Sequence, residues 1–350
     1  MAANGDPKGP WIDTSDAEVK ERFLAHRKHS EYPEEFPGIR AGVVPPSDRN
    51  PRIVLAGFSA DPSKRSKLSQ DPTKRNDCWV PCNICGVPKF FRLGDLIRDD
   101  DGWLYIVGGD CGEKHYGVSY SHERERYARA ELESRANDYL LDVYPRIREW
   151  HAANVSLQPY AMASARAQET LSALPTFVEE VRRSINRDGG VLRVRGRRTA
   201  MRADGAVVQV AAWEDFGRIT GAAAVSIKSD FLFRLDNASR VLLEFGETDE
   251  SAFDRIGKAS QEGQLPELMA SLKNAIAETH AVRTELVQCR GFFQESNLTR
   301  LRDWTRHPDA PIAARIDVNR TVWTFRSRAG GTPHRVDIRE FIDPIPKVPD

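Results

Sequence analysis

The chain has 350 residues, 40% of them hydrophobic and 29% charged, and its 51 Lys and Arg balance 51 Asp and Glu. That length allows two or three compact units, while the charge balance excludes a histone-like polycation and confines any nucleic-acid contact to a local patch. No run of about 18 apolar residues occurs, which excludes a helical membrane span and a membrane partner of that kind.

Met1 is followed by Ala-Ala-Asn-Gly-Asp rather than a basic and then apolar leader, so a cytoplasmic protein is expected. Residues 1–77 read as a loosely ordered N-terminal region. Within it, Ser15-Asp-Ala-Glu18 is a capping box that opens a short helix to about Lys28. The Pro-rich "EYPEEFPG" and "VVPPSDRNP" read as loops, and Ile53 to Ala56 as a brief strand. Asp61-Pro-Ser-Lys-Arg65 and Asp71-Pro-Thr-Lys-Arg75 are two Asp-Pro turns carrying basic pairs. Solvated loops account for them; a share in a phosphate-binding surface is the alternative.

Residues 78–120 form a cysteine module. Four of the five cysteines fall within 34 residues, and Cys289 stands alone. In a non-secreted chain such clustering points to metal rather than disulfides. Cys82-Asn-Ile-Cys85-Gly86 has the spacing at which one tight turn aims two thiolates at one ion. "KFFRLGDLI" and "WLYIV" then predict two strands joined at "RDDDG", and Gly108-Gly-Asp-Cys111-Gly112 a second tight turn. The module resembles a zinc ribbon, in which two Cys-x-x-Cys turns flank a hairpin. The resemblance implies structural Zn2+ held by Cys82, Cys85 and Cys111. Gly108 stands where the second turn's other cysteine is expected, so the fourth ligand is His115 or, alternatively, Cys78. The plainer reading makes Cys78 and Cys111 small buried apolar residues, with His115 on the surface. Of the aromatics Phe90, Phe91, Trp103, Tyr105 and Tyr116, most should form the module's own core, leaving one or two able to stack on bases.

Residues 121–188 show helical spacing, interrupted near Pro145 and ended by Asp188-Gly-Gly190. Residues 189–247 read as a β-rich insert. Its hairpin runs from Val191 to Met201, turns at Ala203-Asp-Gly205 and returns from Ala206 to Trp213; further short strands are expected at Val225 to Leu235 and Arg240 to Phe245. Residues 248–305 return to helix, broken near Gly263 and Gly291, and residues 312–343 alternate as a small antiparallel meander. The fold class is α+β. The long helices are expected either as extended arms, a coiled-coil hairpin with the insert at its far end, or as a compact bundle.

The insert carries the charge asymmetry. Between residues 182 and 202 lie eight arginines, including Arg187, Arg193, Arg195, Arg197, Arg198 and Arg202, against the single acid Asp188. Arg193, Arg195 and Arg197 alternate, so on a strand they share a face. A charged edge that blocks aggregation explains part of this; a phosphate-contact surface explains the rest.

The leading functional reading is a non-enzymatic, zinc-stabilised nucleic-acid-binding protein. The second is a helical scaffold that binds protein partners or self-associates. A third rests on letters alone: His29-Ser-Glu31 and Pro81-Cys82-Asn-Ile-Cys85 spell the H-x-E…P-C-x-x-C signature of zinc-dependent nucleobase deaminases. That family opens a helix with each half, and the prolines downstream of both halves oppose it here. No phosphate-binding Gly-x4-Gly-Lys-Ser/Thr loop, G-x-S-x-G elbow or H-E-x-x-H pair is present.

Overall fold

The computed structural model describes residues 8–40, 51–59, 80–84, 90–91, 93–203, 205–221, 223–226, 230–312, 314–319, 321–327, 330 and 332–349. Cys78, Cys85 and both Lys-Arg pairs, at 64–65 and 74–75, lie outside the described residues. The chain divides into two compact units, Met1–Arg135 and Ala136–Asp350.

In the first unit, helix α1 (Asp16–His29) starts where the capping box places it, with the Ser15 hydroxyl accepting from the Glu18 N–H at 3.2 Å. Strands β1 (Arg52–Ser59), β4 (Leu93–Arg98) and β5 (Leu104–Gly108) form an antiparallel sheet in the order β1-β4-β5. The short β2 (Val80–Pro81) pairs with β3 (Phe90–Phe91). Helix α2 (Gly109–Tyr116) follows β5, and α3 (Val118–Val143) carries the unit boundary.

The sheet is covered on both faces, and strand alternation sorts its side chains into two cores. Val54, Phe58, Leu96, Leu104 and Ile106 join Trp11, Val19, Phe23 and Phe36. Ile53, Ile97, Tyr105 and Val107 join Cys82, Ile84, Cys111, Tyr116 and Tyr120 on the other face. The described parts of the N-terminal region, residues 8–40 and 51–59, are therefore packed rather than loosely ordered. Trp11 and Phe36 stack at 5.3 Å, and Arg98, buried, donates to the Trp11 carbonyl at 3.1 Å and pairs with Asp16 at 2.6 Å. Its proline content hid a set of aromatic anchors spaced to cover one sheet face.

The second unit contains α4 (Ile147–Ser172), α5 (Pro175–Asp188), β6 (Val191–Met201), β7 (Val207–Arg218), α6 (Ala223–Ser226), α7 (Phe231–Phe245), α8 (Asp249–Glu262), α9 (Leu265–Phe292) and α10 (Glu295–Arg306). A meander of β8 (Ala314–Asn319), β9 (Val322–Ser327) and β10 (His334–Asp337) closes it, antiparallel throughout as expected. The break at Pro145 is a 3-10 turn, Tyr144–Arg146.

One expectation changes here, and one of two alternatives is selected. Where described, the segments read as strands after the hairpin are largely helical: α7 buries Phe231, Leu235, Ala238, Leu242 and Phe245, a spacing of three to four residues that only a helix places on one side. Short apolar runs do not distinguish the two periods. And α4, α7 and α9 pack on one another around a shared core with Leu157, Leu235, Val282 and Leu286, so this unit is a bundle rather than a pair of extended arms. The meander completes that core with Ile316, Trp323, Phe325 and Val336.

Candidate metal module and basic ribbon

The cysteine module is built against β5. The Asn83 N–H donates to the Ile106 carbonyl at 2.9 Å, which fastens the stretch holding Cys82 to that strand. Cys111 lies on the element that β5 leads into. Cys82 and Cys111 are both buried, 6% and 5% exposed, in the same apolar cluster. Residues Gly108 to Gly112 do not make the expected second tight turn. They open helix α2, with Gly108 as N-cap, Cys111 in the first turn, and half-buried His115 one turn further along. Among the described residues no side chain caps this N-terminus.

Two glycines have assigned jobs. Gly108, the departure from the ribbon pattern, pairs across the sheet with Gly94, and the Phe91 ring lies over both; a Cβ on Gly94 would come within 1.9 Å of that ring. Gly112 lets α2 settle on Tyr120, whose ring would lie 2.2 Å from an added Cβ. Tyr120 in turn donates to buried Asp95, which also accepts from the Gly57 N–H at 2.8 Å and faces Arg124 at 3.3 Å. Burial, then the bond to Asp95, raises the Tyr120 hydroxyl's pKa well above the usual range, so it remains a donor.

Among the described residues, no three His, Cys, Asp or Glu side chains converge as a metal site. Cys82, Cys111 and His115 therefore do not make one unaided; the remaining cysteines of the knuckle, Cys78 and Cys85, lie outside the described residues. Of the module's aromatics, Tyr105 and Tyr116 are buried, Phe91 is half-buried, and half-buried Trp103 has the Arg40 guanidinium 4.4 Å above its ring; the side chain of Phe90 lies outside those described. The deaminase letters meet no matching geometry at their first half. His29 ends α1 instead of opening a helix, and Glu31 pairs with Arg27 at 3.3 Å. Cys289 belongs to the core of the second unit, 3.7 Å from the Ser164 hydroxyl, and burial pushes its thiol up to about 11.

In the second unit, β6 and β7 form a two-stranded ribbon eleven residues long on the β6 side. Its foot is anchored. Leu192 and Val194 enter the main core, and the Trp304 indole N–H donates to the Arg193 carbonyl at 2.8 Å. The Arg195 N–H donates to the Asp309 carbonyl at 3.0 Å, and Arg300 to the Arg218 carbonyl at 2.7 Å. Beyond Arg195 no third strand joins the ribbon among the described residues. The chain reverses through Arg202 and Gly205, whose N–H groups bond to the Ala206 and Arg202 carbonyls, both at 2.9 Å.

The ribbon sorts the arginines. Arg182 donates twice to the Val225 carbonyl, at 3.1 and 2.7 Å, and Arg183 pairs with Glu179 and Glu180. Arg193 pairs with Asp188 at 3.1 Å and with its cross-strand neighbour Asp215 at 3.2 Å. These three serve the fold. Arg187, Arg195, Arg197 and Arg202 are exposed and have no carboxylate within ion-pair distance among the described residues. The side chain of Arg198 lies outside those described. Arg195 and Arg197 share a face, as the alternation predicts, together with cross-strand Trp213 and Ala211.

Sequence reasoning missed three residues on this ribbon. Trp213 is 53% exposed, with the Arg195 guanidinium 5.6 Å above its ring. Met201 and Val207 are 75% and 69% exposed and face each other across the strands at the tip. The signal lay in β7: "VVQVAAW" puts apolar residues on both faces, and a two-stranded ribbon can bury only one of them. No family model, curated protein or solved structure matches this chain.

Proposed function

We propose that this is a zinc-stabilised, non-enzymatic nucleic-acid-binding protein that contacts phosphates through the outer part of the β6–β7 ribbon. One observation carries the reading: Arg195, Arg197 and Arg202 stand exposed, without carboxylate partners among the described residues, on a ribbon whose foot is fixed in the core. Guanidinium groups without carboxylate partners on a ribbon anchored at its foot are suited to bidentate contact with phosphate. Arg187, at the end of α5, adds a fourth such group near the foot.

Structural Zn2+ in the first unit would be held by Cys82, Cys85 and Cys111, with His115 or Cys78 as the fourth ligand. Burial of Cys82 and Cys111 in one cluster supports this. A closed site of that kind supplies folding free energy rather than chemistry.

The test is the salt dependence of binding to a 30-mer duplex and its single strands. Counterion release predicts that replacing Arg195, Arg197 and Arg202 with Ala lowers the slope of log K against log salt by about 0.9 for each duplex phosphate that the variant no longer neutralises. A slope unchanged by the triple substitution overturns the assignment. Self-association is a second reading, favoured by the two strand edges of the outer ribbon that are open among the described residues. A scattering mass well above 39.4 kDa, with no nucleic-acid binding, would select it.

A further inference from the structure

The outer ribbon carries more than charge. Its tip pair, Met201 and Val207, is the most exposed pair of large apolar side chains on it, and Ala200 faces Val208 one register step inward. Isolated two-stranded ribbons are marginal in water, and this one adds uncovered apolar surface at its far end. Charge complementarity indicates the occupant: residues 195–213 hold four arginines and one aspartate.

We infer that the β6–β7 ribbon is a groove-inserting arm for double-stranded DNA, with Arg195, Arg197 and Arg202 on the phosphates and the Met201–Val207 tip wedged between base pairs so that the duplex bends. This rests on the nucleic-acid reading and narrows it to one substrate class.

Three features support the arm. The first is reach. From Arg195 to Met201 the arm extends about 20 Å at 3.2–3.4 Å per residue, enough to follow a groove beyond the first phosphate contacts. The second is chemistry. Base reading in the major groove needs polar groups free for the base edges. Besides the arginines, here assigned to phosphates, the outer strands offer one polar pair, and Gln209 is already bonded to Thr199 at 2.9 Å. An apolar tip flanked by arginines suits the minor groove instead, where such side chains unstack a base step and kink the helix. The third is the anchored foot, since a wedge works only if the element behind it does not yield. Duplex RNA has a wide, shallow minor groove and gives such a tip no walls to grip.

The experiment uses the full chain and a 30-bp DNA duplex carrying a fluorescent donor and acceptor at its ends, with duplex RNA and single strands of the same sequence as competitors. The expected results are preference for duplex DNA and a shortened end-to-end distance, from a bend of roughly 20–90°. Met201→Ser with Val207→Ser should abolish the shortening and weaken binding while leaving the salt slope in place. Arg195→Ala with Arg197→Ala should lower that slope. The tip side chains are exposed, so an unchanged melting midpoint verifies that the tip variant folds. Binding to duplex DNA without shortening, or equal or tighter binding to RNA or single strands, overturns the groove-arm proposal while nucleic-acid binding stands. No binding to any of these nucleic acids overturns both; a scattering mass above 39.4 kDa that Met201→Ser with Val207→Ser returns to 39.4 kDa would then assign the ribbon to pairing copies of the chain.

Discussion

At the scale of single residues, the described cysteines are all buried but in different units, Cys82 and Cys111 in the first and Cys289 in the second. Cys289 is a small core residue of the second unit, and burial pushes its thiol up to about 11, with Ser164 opposing and Glu285 adding a little. The folded thiol thus stays protonated where the unfolded one has ionised. Linkage then fixes the sign: stability is unaffected below the ordinary thiol range, falls as pH rises through it, and levels off near the folded value. Cys289→Ala should flatten that fall in urea-unfolding measurements from pH 8 to 11. An identical slope in both proteins would show that Cys289 does not hold its proton through folding. Alternation already placed Arg195 and Arg197 on one face; no sequence rule separated them from Arg193, which Asp188 and Asp215 neutralise. Asp215 comes beside it only through the cross-strand register.

At the scale of elements, local patterns were most legible where a turn or cap marked a boundary. Ser15, Pro145, the Gly189–Gly190 pair and the reversal near Gly205 all fall where the structure places them. Two elements were misread for different reasons. Helix α7 resembled strands because its apolar residues come in short clusters. Helix α2 resembled a turn because three glycines crowd Cys111, yet Gly108 serves the Phe91 ring and Gly112 the Tyr120 ring. The ribbon foot gives a prediction at this scale. Trp304→Phe keeps the ring in the core but removes the donor to the part-buried Arg193 carbonyl, costing about 0.5–1.5 kcal/mol for the lost hydrogen bond. Hydrogen exchange should then quicken at the amides of Val194 and Arg195 and remain unchanged in α9. Faster exchange throughout the unit would mean that the bond stabilises the whole core rather than the foot.

At the scale of the whole molecule, each unit has its own buried clusters, the first built on a sheet covered on both faces and the second on a helical bundle. If Zn2+ supports only the first, chelation should lower one calorimetric transition and leave the other in place. Cys111→Ser should reproduce the chelated profile, with loss of bound metal by elemental analysis. Metal content unchanged in that variant would remove Cys111 from the ligand set. The same assay on Cys78→Ser and His115→Ala identifies the fourth ligand, because only one of them should lose the ion.

Sequence alone determined the α+β class, the main helix breaks, the hairpin and meander, and the concentration of arginine at residues 182–202. These depend on period, caps and turns, which act over a few neighbouring residues. Only the tertiary structure decided which arginines remain unpaired, that the N-terminal segment closes one sheet face, and that Trp213, Met201 and Val207 stand uncovered. Those outcomes depend on what lies across a strand pair or beneath a sheet, at separations in the chain that local pattern does not encode.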